Sequence, residues 1–182
     1  MRIITGSARG CRLKAPKGMR TRPTSDRIKE SLFSILGSFV QGKEVLDLFA
    51  GTGSLGLEAL SRGAARAVFV DRATVDILRD NAEHTRLSGQ SEILRGDVFS
   101  VLPRLKHEGR SFQLIFCDPP YNEGLWERVL EWVDGSELLS PEGLLIIEHG
   151  GDESMPEGEL RSLSCIREVR YGHTSAIHIF QR

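Results

Sequence analysis

From about position 43 onward, short apolar runs alternate with stretches whose apolar residues recur three and four apart. The runs cover 45–49, 67–71, 92–95, 112–117 and 144–148, each of strand length. The intervening stretches predict helices that end near residue 62 and that cover about 73–87, 99–106 and 126–133. Repeated βα units of this kind predict an α/β fold, a parallel sheet with helices on both faces. Two alternating runs, about 165–171 and 174–180, surround Gly172-His173 and predict a closing hairpin whose last strand runs antiparallel. The acidic, Gly- and Pro-bearing stretch 151–159 is expected to be a mobile loop.

The first forty residues follow another pattern. Residues 2–5 and 11–15 are expected to pair as a small hairpin over the five-residue loop 6–10. An irregular basic segment, 16–23, comes next. Thr24-Ser25-Asp26 reads as a helix start, Ile28, Leu32, Ile35 and Leu36 as its apolar stripe, and Gly37 as its stop. The expected organisation is one domain over 1–182, with a basic arm (1–23) ahead of a core (24–182).

Composition narrows the class. Apolar residues make up 40% and charged residues 27%, as in ordinary soluble proteins. The start shows no secretory h-region and no run reaches membrane-span length, so a cytoplasmic protein is expected. Cys11, Cys117 and Cys165 are too few and too scattered for a disulfide framework or a metal site, and the five histidines lack ligand spacing, so no metal is expected. The net charge of −1 conceals an asymmetry: residues 1–30 hold nine Lys/Arg against two acids, a charge of +7, which leaves −8 for the rest. A basic arm on an acidic body suits a polyanionic partner. Arg9, Arg12, Lys14, Lys17, Arg20 and Arg22 are the candidate contacts to such a partner.

The first core strand leads into Asp47-Leu48-Phe49-Ala50-Gly51-Thr52-Gly53-Ser54-Leu55-Gly56, where three glycines fit G-x-G-x-x-G. Asp71, twenty residues after Gly51, ends the second strand, where a carboxylate can accept from ribose hydroxyls. Both NAD and S-adenosylmethionine fit this much. Asp47, at the mouth of the loop, would repel a pyrophosphate and attract the ammonium and sulfonium of S-adenosylmethionine. After the third strand, Asp97 can accept from an adenine amine and the Val98 N–H can donate to a ring nitrogen, while Asp97 also suits a helix N-cap. The run 112–117 stops in Asp118-Pro119-Pro120-Tyr121. Two prolines stiffen the backbone and leave carbonyls without competing N–H donors. A carboxylate, a carbonyl and a ring thus gather at a strand end, a grip for a planar group bearing an amine.

In order and spacing, Asp47…Gly51-x-Gly53, Asp71, Asp97 and Asp118-Pro119-Pro120-Tyr121 resemble class I S-adenosylmethionine-dependent methyltransferases of the amino-group type. More narrowly, the chain resembles the bacterial 16S ribosomal RNA guanine-N2 methyltransferase family, RsmD. The matching stretches are Arg2-Ile3-Ile4-x-Gly6-x-x-Arg9-Gly10-x-x-Leu13, Arg22-Pro23-Thr24-x-Asp26-Arg27-x-Lys29-Glu30-x-Leu32-Phe33 and Gly56-x-Glu58-Ala59 with Ser61-Arg62-Gly63-Ala64. Phe49 stands where a first loop glycine is usual.

The resemblance implies a Rossmann-like, seven-stranded sheet with the last strand antiparallel. It implies methyl transfer from S-adenosylmethionine, leaving S-adenosylhomocysteine, to N2 of a guanine in 16S RNA, the guanine-966 type site. The expected substrate is an assembling small subunit, whose looped or single-stranded RNA the basic residues Arg9, Arg12, Lys14, Lys17, Arg20 and Arg22 are expected to contact, and the enzyme is expected to act as a monomer. Phe49 and Arg72 join Asp47, Gly51, Gly53, Asp71, Asp97 and Val98 as cofactor-side residues, and Asp118, Pro119 and Tyr121 form the catalytic set. Competing possibilities are a DNA adenine-N6 methyltransferase, a nonenzymatic RNA-binding assembly factor and, on the glycine loop alone, an NAD-dependent oxidoreductase.

Overall fold

A computed structural model describes residues 1–16, 26–155 and 158–182. The basic segment 17–23 and the expected cap residues Thr24 and Ser25 lie outside these. A seven-stranded sheet has the order β3-β2-β1-β4-β5-β7-β6. The chain divides into two compact units, Met1–Val101 and Leu102–Arg182.

The first unit carries β1 (Glu44–Leu48), α2 (Ser54–Ser61), β2 (Arg66–Asp71), α3 (Val75–His84) and β3 (Ser91–Arg95), preceded by α1 (Asp26–Leu36) and a 3₁₀ turn at Gly37–Val40. The strands pair in parallel, with Val45 opposite Ala67 and Phe69 opposite Ile93. Val45, Leu46, Val68, Phe69 and Val70 are buried, as strands covered on both faces require. β3 lies at the sheet's edge and is only half-buried. α3 starts two residues later than its periodicity predicts, because the Asp71 carboxylate accepts the Ala73 and Thr74 N–H groups and holds them in a turn. It stops early, just ahead of Arg86 in left-handed backbone at φ 61°.

The expected N-terminal hairpin contracts to a single antiparallel bridge, Arg2 to Arg12. Around it, Ile3 N–H donates to the Cys11 carbonyl at 2.9 Å and Leu13 N–H to the Met1 carbonyl at 3.0 Å. Ile3, Ala8 and Leu13 are buried, so this arm is a docked strap. α1 buries Lys29, Leu32, Phe33 and Leu36, a face rotated from the expected stripe, with Ile28 and Ile35 at its margin.

The second unit holds β4 (Phe112–Cys117), α5 (Leu125–Asp134), β5 (Leu139–Gly150), β6 (Ser164–Tyr171) and β7 (Ser175–Gln181). In sequence, the helix α4 (Val98–His107) contains the point, between Val101 and Leu102, at which the units divide. β4 and β5 are parallel, and β7 runs antiparallel to both β5 and β6, as the closing hairpin predicts. β5 is longer than its apolar run because its flanks find backbone partners. Glu142 N–H donates to the Arg182 carbonyl at one end, and Gly150 faces Ser175 at the other. The start of the 151–159 stretch is anchored: Glu153 accepts the Gly150 N–H.

Candidate active site

In the first unit, β1 ends at Leu48 and the backbone turns through the left-handed region at Phe49 (φ 58°), Gly51 (φ 56°) and Gly53 (φ 82°) before α2 begins. The glycines do different work. A Cβ at Gly53 would lie 2.3 Å from Leu78 Cδ1, and one at Gly56 2.2 Å from Phe69 Cε1, so both allow close packing of helix and strand. A Cβ at Gly51 would meet only the Phe49 carbonyl, at 3.9 Å, so the backbone there is open to a ligand. Phe49 is a bulky residue in the same strained conformation, its ring edge-on to Phe99 at 6.5 Å.

Side chains from β2 and α3 pin this loop. Asp71 Oδ2 accepts the Gly51 N–H at 3.0 Å, Thr74 Oγ1 donates to the Gly51 carbonyl at 2.6 Å, and Asn81 Nδ2 donates to the Thr52 carbonyl at 2.9 Å. Asp71 thus accepts three backbone N–H groups, a demand that its spacing does not reveal. A carboxylate offers about four acceptor positions, which leaves capacity for a hydroxyl donor. Gly96 N–H donates to the Asp71 carbonyl at 3.1 Å and brings Asp97 to the same sheet end. Asp97 is exposed and caps α4, its Oδ1 accepting the Phe99 N–H at 2.9 Å. Val98 is buried and Arg72 exposed.

Asp47 differs from its expected place at the loop mouth. It is 2% exposed and lies beneath the loop, where Oδ2 accepts the Gly56 N–H at 2.9 Å. Burial pushes its carboxyl up to about 7 despite that hydrogen bond, with a smaller contribution from the Asp71 charge. Its reach is spent on the first turn of α2.

In the second unit, β4 delivers half-buried Asp118, buried Pro119 and half-buried Tyr121. The Tyr121 hydroxyl donates to Glu148 Oε1 at 3.0 Å. Burial, then the charges of Glu148 and Asp118, raises the phenol's pKa, so the ring stays neutral. Glu153 Oε1 accepts both the Asn122 N–H and the Trp126 indole N–H at 3.2 Å, which secures the turn after Tyr121. Trp126 stacks on His149 at 4.6 Å, and His149 Nε2 meets His178 Nδ1 at 2.8 Å. Both imidazoles are buried and hydrogen-bonded, in keeping with satisfied core histidines.

Sequence reasoning missed Thr74, Asn81, Glu148 and Glu153. Two of them left a signal: Glu148 closes an apolar run as Asp118 does, and Asn81 interrupts the apolar stripe of Val75, Leu78 and Ala82. Of the arm's candidate cations, Arg9 and Arg12 are exposed and Lys14 pairs with Asp80 at 2.8 Å. Lys17, Arg20 and Arg22 lie outside the described residues. Among the described residues no cluster of His, Cys, Asp and Glu could hold a metal ion, and no helix is long and apolar enough to cross a membrane.

Residues 1–181 match the family model described as Conserved hypothetical protein 95. YlbH of Bacillus subtilis, provisionally named an rRNA methyltransferase, is 38% identical over 176 residues, 96% of this chain and 95% of that protein. Ribosomal RNA small subunit methyltransferase D of Escherichia coli is 35% identical over 158 residues, 86% of this chain and 78% of that protein. The solved structure of yhhF from Escherichia coli, provisionally named a methyltransferase, superposes with a TM-score of 0.86 at 34% identity, covering 100% of this chain and 97% of that one.

Proposed function

We propose that this chain, which belongs to the Conserved hypothetical protein 95 family, transfers a methyl group from S-adenosylmethionine to an exocyclic guanine N2 in 16S ribosomal RNA, the guanine-966 type site. The coarser activity, ribosomal RNA methylation, follows from near full-length similarity to YlbH and from similarity over 86% of the chain to ribosomal RNA small subunit methyltransferase D. An amine as acceptor is supported by one observation: a strand-end carboxylate, Asp118, stands beside a buried proline and a ring whose hydroxyl is tied down by Glu148, while the choice of guanine N2 rests on the resemblance to the RsmD family.

On the donor side, the open backbone at Gly51, the strand-end Asp71 and the exposed Asp97 suit a nucleoside that carries no phosphate. Asp71 is assigned to the ribose, Asp97 and the Val98 N–H to the adenine, and the Phe49–Gly53 turn to the amino-acid end, with Arg72 beside it. Asp47 acts indirectly by holding the Gly56 N–H. When bound, S-adenosylmethionine supplies an electrophilic methyl group on sulfonium.

The lone pair of a guanine amine is delocalised into its ring. Asp118 and the Pro119 carbonyl accept its two N–H groups, orient the nitrogen and favour its pyramidal form. Tyr121 stacks on the flipped base, kept neutral chiefly by burial and held in place by Glu148. The N–methyl bond forms as the S–methyl bond breaks, the proton then lost from nitrogen passes to Asp118 or to water, and the rate enhancement comes from orientation and electrostatics. The basic arm (1–23) meets RNA phosphates, and 24–182 provides cofactor binding and catalysis within one methyltransferase domain. The proposed setting is a monomer acting in the cytoplasm on assembling small subunits.

The test is incubation with labelled S-adenosylmethionine and small subunits from a strain lacking the enzyme, followed by nucleoside mapping. N2-methylguanosine is the expected product. No transfer to RNA, or N6-methyladenine on DNA, would overturn the proposal.

A further inference from the structure

We infer that Asn81 is a positioning residue for methyl transfer, one that couples the seating of the N-terminal arm to the conformation of the donor loop; this rests on the donor-site assignment above. Asn81 lies on α3 and is completely buried. Its Oδ1 accepts the Lys14 N–H at 2.8 Å, and its Nδ2 donates to the Lys14 carbonyl at 3.1 Å and to the Thr52 carbonyl at 2.9 Å. A primary amide has two N–H donors. Here one serves the arm and the other the loop, so the group cannot rotate without leaving a buried polar partner unmatched.

Thr52 sits between Gly51 and Gly53, both in left-handed backbone. The direction of its carbonyl therefore depends on the loop's conformation. The preceding residue, Gly51, is already held at both its N–H and its carbonyl, by Asp71 and Thr74. Asn81 adds the loop's link to Lys14, which lies 67 residues before Asn81 in sequence.

The arm has a second anchorage on α2, the helix that continues from the loop. Glu58 accepts the Ile4 and Thr5 N–H groups at 2.8 and 3.0 Å. Ser61 Oγ accepts the Ala8 N–H at 2.9 Å and donates to the Thr5 carbonyl at 2.6 Å. The Gly6 turn presses on Ser61 so closely that a Cβ would lie 1.7 Å from the Ser61 carbonyl oxygen. Arg9 and Arg12, both exposed, stand in the span between the α2 anchorage and the Asn81 anchorage. RNA that holds this span in its seat favours the loop arrangement that Asn81 braces. Cofactor in the loop favours the seated arm by the same amount, since such coupling is reciprocal.

The test measures S-adenosylhomocysteine binding to the full chain by calorimetry, well below each variant's melting temperature, together with the kcat and KM for S-adenosylmethionine. Asn81→Ala removes both links. Lys14→Pro deletes the N–H that reaches Asn81 Oδ1 and leaves the amide's donor toward Thr52. Each is expected to weaken binding about tenfold, as for a lost buried hydrogen bond, and to raise KM with kcat nearly unchanged. A merely structural role would lower the active fraction, and hence kcat, at constant KM. Unchanged affinity in Lys14→Pro overturns the coupling, and that variant decides alone if Asn81→Ala does not fold. A wild-type protein that binds no S-adenosylhomocysteine overturns the donor-site assignment, and this inference with it.

Discussion

Asp47→Asn isolates the electrostatics beneath the donor loop. The folded protein holds the Asp47 carboxyl at about 7, against 3.8 for an exposed one, chiefly through burial. That is a shift of about three units, or about 4 kcal/mol at roughly 1.4 kcal/mol per unit. The sign follows from proton occupancy. Between about pH 4 and pH 7 the folded state keeps a proton that the unfolded chain has released, so this group's contribution falls as pH rises through the window and is flat on either side. Asparagine cannot titrate, yet its carbonyl can still accept the Gly56 N–H. The stability of the wild type relative to Asp47→Asn should therefore drop by about 4 kcal/mol from about pH 4 to about pH 8, while ionisations common to both proteins cancel. Urea unfolding of both proteins across that range measures the difference, and thermal scans should show a relative shift of about 8–16 °C. Parallel stability curves, constant to within about 1 kcal/mol, would refute the buried, proton-holding Asp47.

Glu58→Ala leaves the fully buried Lys29 without its carboxylate partner, now 3.3 Å away, and should cost about 3–5 kcal/mol. It should also expose Arg9 and Arg12 to trypsin, and unchanged protection of the arm would count against the anchorage described. Arg9→Gln with Arg12→Gln should lower the slope of log Kd for RNA against log salt by about one to two, and an unchanged slope would remove both residues from the interface. Asp118→Ala should reduce kcat by about a hundredfold or more while S-adenosylhomocysteine binding persists. Lost cofactor binding would place Asp118 on the donor side instead.

What was legible in the sequence tracks the range of the interactions. Strand β4 falls where its apolar run predicts, and β1 and β2 lie within a residue of theirs, because burial on both faces writes itself into consecutive positions. The glycine loop was legible because steric demands at Gly53 and Gly56 select a residue type. Phe49 shows the limit of that logic: it takes a glycine-like conformation, and only the structure reveals the strain. Asn81, Glu58 and Thr74 could not be assigned from local pattern, since their partners lie 67, 54 and 23 residues away. The same holds for β5, whose flanks are set by pairing with the chain's end.

Charge counting erred in a more instructive way. Lys29 contributed to the +7 of the first thirty residues, yet it is 0% exposed and donates to the Arg2 carbonyl at 2.6 Å. Burial lowers its pKa, with Glu58 opposing the shift. That lysine fixes the arm's backbone and offers nothing to an RNA. Lys14 likewise shares its charge with Asp80. Arg2, also exposed, pairs with Asp26 at 3.4 Å, and Arg9 and Arg12 are further exposed cations on a strap whose peptide groups at Ile4, Thr5, Ala8 and Lys14 are all bound to core side chains. A surface built this way presents its guanidinium groups from a pre-ordered backbone, so the RNA contact proposed for it would not have to fold the strap first. Among the described residues, the basic composition of the first thirty positions therefore combines cations that are buried or paired, Lys29, Arg2 and Lys14, with exposed ones such as Arg9 and Arg12.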